Sequence, residues 1–102
     1  MVHTFQVIEL RETTIFSEWL ESLSDKVTRT RVQARILRLK SGNAGDVKSV
    51  GEGVSEMRIH HGPGYRVYFV KKGSELIILL AGGDKSSQSK DIRKALNLAR
   101  NL

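Results

Sequence analysis

Four polar side chains that suit phosphate chemistry alternate with apolar residues on two neighbouring segments of the chain. Arg58 and His60 lie on the first segment, and Arg66 and Tyr68 lie on the second. A three-residue Gly-Pro-Gly loop between the segments predicts a β-hairpin in which Arg58 faces Tyr68 and His60 faces Arg66. Because opposed side chains lie ~4.5–5.5 Å apart at Cβ, we expect two guanidiniums, an imidazole and a phenol to converge on one face.

This convergence favours an anion site. Guanidinium groups bind phosphate through paired hydrogen bonds, whereas two adjacent arginines without an anion repel each other. His60, with an ordinary pKa of ~6.5, is a candidate acid or base, and Arg58 and Arg66 are candidates to hold the phosphate. The structural alternative is that Glu56, on the same face, pairs with one arginine and that the other arginine is merely exposed. No metal or cofactor is predicted, since the carboxylates do not cluster at ligand spacing.

The elements that position these residues are typical of an α+β domain spanning residues 1–102. Alternation at Phe5, Val7 and Glu9 predicts a first strand. Thr13 or Thr14 begins a helix, and Ser24-Asp25 caps a second helix over residues 26–39. Strands are predicted at residues 47–50, 54–61, 65–70 and 75–81, and a last helix begins near Ser87. We expect the order β-α-α-β-β-β-α, with an antiparallel-type sheet packed by two N-terminal helices and a C-terminal helix.

Charge is distributed unevenly along the chain. The 102 residues carry a net charge of +6, yet residues 1–25 hold five acidic residues and one basic residue. The excess of positive charge after residue 25 favours a polyanionic partner such as nucleic acid, with a solvated basic surface as the alternative. Arg31, Arg35 and Arg38 form a stripe along the second predicted helix. This stripe is equally consistent with binding to RNA and with a solvent-exposed helix face.

Composition excludes several classes of protein. Without cysteine, the chain has no disulfide, thiolate metal site or cysteine nucleophile. The longest apolar run, residues 76–81, is far shorter than the ~18 residues of a membrane span and suits a buried strand. The first residues lack the pattern of a signal peptide. We therefore expect a cytoplasmic protein with no membrane partner.

Two sequence blocks resemble the RelE/ParE superfamily of toxins, and within it the HigB-like addiction module killer proteins. The first block is residues 45–69, and the second is residues 79–88 (Leu-Leu-Ala-Gly-Gly-Asp-Lys-Ser-Ser-Gln) followed by Asp91-Ile92. The resemblance implies a RelE-like fold and the toxin of a type II toxin–antitoxin module. It also implies an endoribonuclease that cuts mRNA on the ribosome, in which the 2′-OH attacks the adjacent phosphate.

The resemblance implies a role for each matching residue. Arg66 stands where the RelE branch keeps a phosphate-binding catalytic arginine, and Arg58 occupies a strand position that is basic in that branch. Lys85 lies near the position at which the branch has an arginine after its last strand. Tyr68, Lys48 and Gln88 are expected to contact the substrate. Glu56 stands where the branch carries a lysine, and Asp91 lies near the position of the branch's C-terminal tyrosine. Because these two residues differ from the branch, His60 or Tyr68 is the candidate acid or base in this chain.

The resemblance also implies partners and alternatives. The expected partners are the ribosome, mRNA and a cognate antitoxin of helix-turn-helix type, which alone would contact operator DNA. ParE relatives share the fold but bind DNA gyrase without nuclease activity, which is the alternative function. An inactive relative that only binds the antitoxin or RNA is a third hypothesis.

Overall fold

A computed structural model describes residues 8–102, which form a five-stranded sheet with helices on both faces. The elements in chain order are β1 (Glu9–Glu12), α1 (Thr14–Ser22), α2 (Lys26–Lys40), β2 (Val47–Gly51), β3 (Val54–Ile59), β4 (Tyr65–Lys72), β5 (Leu76–Asp84), a 3₁₀ turn (Lys85–Ser87) and α3 (Gln88–Arg100). None of the helices within residues 8–102 has the length and apolar character that crossing a membrane requires.

The first two helices begin at residues that the sequence identifies as caps. The Thr13 side chain accepts a hydrogen bond from the backbone N–H of Phe16 at 3.0 Å, and Asp25 accepts one from Val27 at 3.1 Å. Each cap satisfies a backbone donor that the first helical turn leaves without a partner. The predicted starts of α1 and α2 are therefore confirmed.

The sheet differs from the expectation in two respects, and part of one predicted strand lies outside the described residues. Four strands follow α2, whereas the expected order has only three strands after the second helix. The strand order is β1-β5-β4-β3-β2, in which β1 is parallel to β5 and the other pairs are antiparallel, so the sheet is mixed. Of the strand predicted around Phe5 and Val7, only the part from Glu9 onward lies within the described residues.

Helices cover the two faces of the sheet with different cores. The α1–α2 face carries the larger apolar cluster: Phe16, Val32, Ile36, Leu39, Met57, Ile59, Val67, Phe69, Ile77 and Leu79. The α3 face carries a smaller cluster: Val54, Tyr68, Val70, Leu80, Ala81 and Ala95. Because helices pack on both faces, β5 is buried on both sides, as its continuous apolar run predicts.

The hairpin of β3 and β4 pairs two residues away from the predicted register. Arg58 is the partner of Arg66, and Glu56 is the partner of Tyr68. The loop comprises five residues rather than three, and Gly62 and Gly64 adopt positive φ values of 56° and 79° within it. A shift of two residues keeps each strand side chain on its predicted face, because side chains alternate with a period of two.

Candidate phosphate-binding site

A fully buried carboxylate lies at the centre of the polar residues on the α3 face. Glu56 has no exposed surface. Its Oε1 accepts a hydrogen bond from Arg58 Nε at 2.9 Å, and its Oε2 accepts bonds from Tyr68 Oη at 3.0 Å and Gln88 Nε2 at 2.9 Å. Strands β3 and β4 and the first residue of α3 thus converge on one side chain, which fixes the position of three donors.

The environment of Glu56 keeps the carboxyl ionised and the neighbouring phenol neutral. Burial alone raises the pKa of Glu56, but hydrogen bonds from Gln88, Arg58 and Tyr68 outweigh it and leave the pKa below its ordinary value. Burial, together with the charge of Glu56, raises the pKa of the Tyr68 phenol far above its ordinary range. Tyr68 therefore donates a proton to this hydrogen bond and stays protonated at neutral pH.

Arg66 lies opposite Arg58 in the sheet but has a different set of contacts. It is 9% exposed, its Nη1 donates to the backbone oxygen of Gly64 at 2.6 Å, and its buried Nε has no hydrogen-bond partner within residues 8–102. Glu56 pairs with Arg58, as the structural alternative anticipated. The other arginine is nevertheless buried rather than merely exposed, and a buried cation with an unpaired donor is suited to an anion.

Two lysines border this pair of arginines. Lys48 of β2 is exposed and is the register partner of Glu56. Lys85 is exposed on the 3₁₀ turn that follows β5. A Cβ added at Gly64 would lie 3.0 Å from Arg66 Nη1 and 3.8 Å from Lys85 Cβ, so this glycine separates the two cations. We name the set formed by Lys48, Glu56, Arg58, Arg66, Tyr68, Lys85 and Gln88 the arginine cluster.

His60 does not face Arg66, contrary to the predicted pairing. It follows the end of β3, its side chain is 75% exposed, and its Nε2 lies 2.7 Å from Oδ2 of Asp46. It lines a groove of about 290 Å³ with Arg31 and Arg38 of α2, on the side of the sheet opposite α3. Because the loop is longer than predicted, β3 ends at Ile59, and the alternation of side chains along the strand does not determine the direction of His60.

The arrangement can bind and stabilise phosphate charge, but it holds its carboxyl and phenol groups away from a substrate. Glu56 and Tyr68 are both fully buried, so neither reaches a substrate hydroxyl in this conformation. Arg58 keeps its terminal nitrogens for a ligand, since only Nε donates to Glu56. Within residues 8–102, no three His, Cys, Asp or Glu side chains lie close enough to hold a metal ion.

The structure brings six of the seven candidate residues into or beside one cluster, and Glu56 organises that cluster. Glu56 was treated as a partner of one arginine, whereas it binds Arg58, Tyr68 and Gln88 together. The alternation of Glu56 with Arg58 was a usable signal. The contact of Glu56 with Gln88 was not predictable from the sequence, because 32 residues separate the two positions.

Two comparisons with known proteins identify the family of the chain. A family model described as "Phage derived protein Gp49-like (DUF891)" matches residues 18–102. A protein of Haemophilus influenzae, described as "Uncharacterized protein", is 47% identical over 95 residues, which cover 93% of this chain and 96% of that protein. A toxin-like family implies an antitoxin as a partner. The chain therefore belongs to the Gp49-like family, a toxin-like family related to RelE and HigB.

Proposed function

We propose that this protein is a HigB-like toxin of a type II toxin–antitoxin module that acts in the cytoplasm as a ribosome-dependent mRNA endoribonuclease. The observation that carries the proposal is the direct pairing of Arg58 with Arg66 when, among residues 8–102, only Arg58 of the two forms an ion pair with a carboxylate. A phosphate between them would satisfy the buried Nε of Arg66 and relieve the repulsion between the two guanidiniums.

In this proposal the arginine cluster supplies electrostatic stabilisation. Attack of the 2′-OH on the adjacent phosphate forms a phosphorane that bears extra negative charge, and the 5′-oxygen then leaves to give a cyclic phosphate. Arg66 and Arg58 would bind the equatorial oxygens, and Lys85 would neutralise charge at the edge of the site. Lys48 would bind a neighbouring phosphate of the RNA. Glu56, Tyr68 and Gln88 act as positioning residues that hold Arg58 and the start of α3.

The proposal assigns the proton transfers to groups outside the arginine cluster. Because Glu56 and Tyr68 are buried and His60 lines the groove beside α2, the cluster presents no exposed carboxylate, imidazole or phenol. Proton transfer by a group of the ribosome or of the bound RNA, together with alignment of the reacting atoms, would meet this need. This is the physical reason for proposing ribosome dependence.

The groove along α2 is the proposed contact with ribosomal RNA. Arg31 and Arg38 are exposed there beside His60. Arg35 is committed to the fold instead, since it donates to the backbone oxygens of Arg58 at 2.7 Å and Ala44 at 2.8 Å. Binding through such phosphate contacts weakens steeply as the salt concentration rises.

The antitoxin is proposed to be a helix-turn-helix protein, through which alone the complex contacts operator DNA.

The experiment is to map new 5′ ends of cellular mRNA after brief induction of the wild type, Arg66→Ala, Arg66→Lys and Arg93→Ala. We expect new ends within translated codons for the wild type and for Arg93→Ala, whose exposed side chain on α3 lies outside the cluster. Arg66→Ala should abolish cleavage and growth arrest. Arg66→Lys keeps the charge but loses the paired hydrogen bonds, so cleavage should fall strongly. Thermal unfolding of each variant verifies its fold.

The lack of an exposed carboxylate, imidazole or phenol on the arginine cluster is the observation that favours the second candidate, a ParE-like toxin that binds gyrase without cutting RNA. Growth arrest with intact mRNA and a DNA-damage response would support that function and reject the nuclease. Cleavage that survives in a folded Arg66→Ala variant would reject the catalytic role of this arginine.

A further inference from the structure

A second groove lies between α1 and α3 at the carboxyl end of β5. Its volume is about 580 Å³, and its lining includes Glu18, Trp19, Tyr65, Asp84, Asp91 and Lys94. None of the residues assigned to the arginine cluster lines it. The groove is nevertheless close to that cluster, because Gly83 at its floor is the register partner of Arg66.

Two glycines form the floor of the groove. Gly82 and Gly83 do not have positive φ, so backbone conformation does not demand glycine at either position. A Cβ at Gly82 would lie 2.2 Å from the Trp19 ring, and a Cβ at Gly83 would lie 1.8 Å from Oδ2 of Asp91. The glycines therefore allow an aromatic ring and a carboxylate to approach β5 from its two faces.

The edge of β5 above this floor lacks a neighbouring strand on one side. The pairing of β1 with β5 ends at Glu12 and Leu79, where the chain turns into α1. Within residues 8–102, the last five residues of β5 have no strand partner on that side; Thr13 Oγ1 donates a hydrogen bond to the backbone oxygen of Leu80 at 2.6 Å, so the open edge begins after Leu80. An unpaired strand edge can accept an extended segment of another chain.

The side chains of the groove select for a cation. Glu18, Asp84 and Asp91 contribute three carboxylates against the single cation Lys94, in a chain whose net charge is +6. Asp91 is 6% exposed, and Ser87 donates a hydrogen bond to its Oδ2, while no described residue donates one to its Oδ1. The rings of Trp19 and Tyr65, whose centroids lie 6.4 Å apart, offer aromatic surface beside these carboxylates.

We propose that this groove binds an arginine or lysine side chain presented by an extended segment of a partner protein. The carboxylates would form charge-assisted hydrogen bonds with the cation, the aromatic rings would contact its stem and charge, and the segment's backbone would lie along the free edge of β5. RNA is disfavoured because its phosphates would be repelled by the three carboxylates. This inference goes beyond the nuclease proposal and does not depend on it.

Trp19 allows a direct test, since it is the only tryptophan of the chain and lines the groove. The protein is titrated with a capped pentapeptide that alternates valine and arginine, and tryptophan emission is recorded. Peptides with glutamine or glutamate in place of arginine are the controls. Glu18→Gln removes a groove carboxylate, whereas Glu21→Gln removes an exposed carboxylate of the same helix that does not line the groove.

We expect a saturable change for the arginine peptide, about fivefold weaker binding in Glu18→Gln, and unchanged binding in Glu21→Gln. The glutamine and glutamate peptides should bind far more weakly. The absence of a response to the arginine peptide would overturn the proposal, as would equal responses to the three peptides. A saturable response to an RNA dinucleotide that persists in Glu18→Gln would also overturn it and assign the groove to nucleic acid.

Discussion

The two faces of the sheet bury different chemistry. Under α1 and α2 the strands bury a continuous apolar cluster that includes Phe16 and Phe69. Under the first turn of α3 they bury Glu56 completely and Arg66 almost completely. Apolar burial stabilises a fold directly, whereas a buried ion pair contributes little net stability because both charges lose their hydration. The α1–α2 face therefore contributes most of the apolar stabilisation, and the charged end of the α3 face is where we propose that phosphate binds.

The largest expected effect on stability belongs to the α1–α2 face. Phe16 has no exposed surface and lies at the centre of the apolar cluster. Phe16→Ala should lower the free energy of unfolding by about 3–5 kcal/mol, because it removes buried apolar area and leaves a cavity. Urea denaturation measures this value. A loss below about 1 kcal/mol would contradict the assignment of this face as the main source of stability.

Removing the charge at the centre of the α3 face should have a smaller effect on stability. Glu56→Gln retains the shape of the side chain but weakens the bonds from Arg58, Tyr68 and Gln88, so we expect a loss of about 2 kcal/mol at pH 7. Glu52→Gln is the matched control, since Glu52 pairs with Arg100 at the surface. This control should cost less than about 1 kcal/mol. Equal losses in the two variants would show that burial of Glu56 has no energetic consequence.

The same carboxylate should make stability depend on pH. Its pKa in the folded protein is below the ordinary value of 4.5, so the unfolded chain binds a proton first as the pH falls. Its contribution is therefore complete above pH 4.5 and is lost as the pH falls through the lower folded-state pKa. Unfolding measured from pH 7 to pH 3 should show a steeper acid-side decline in the wild type than in Glu56→Gln. Parallel curves would contradict the lowered pKa.

The smallest expected effect belongs to His60, on the side of the sheet opposite α3. Its side chain is 75% exposed and contacts Asp46, so His60→Ala should change stability by less than about 0.5 kcal/mol. Because His60 lies away from Arg66, growth arrest should persist in this variant, in contrast to Arg66→Ala. Loss of growth arrest in a folded His60→Ala protein would restore the role that the sequence suggested for this histidine.

Local features of the chain were predictable because they depend on neighbouring residues. The caps Thr13 and Asp25 and the buried positions of α2 follow from side-chain chemistry and helical spacing. The faces of β3 and β4 follow from a period of two. The pairing of the strands was not predictable to the residue, because a shift of two preserves every face and only the geometry of the five-residue loop decides between the alternatives.

The sequence by itself determined the fold class, the uneven charge and the residues that could bind phosphate. Tertiary structure decided which of them meet, because pairing across strands and the docking of α3 join positions far apart in the chain. It placed Gln88 against Glu56 and separated His60 from Arg66. It also left Arg66 buried, with one nitrogen that no residue of the described part of the chain bonds. The burial of a polar side chain and its partners across strands are properties of the packed chain, and no local spacing encodes them.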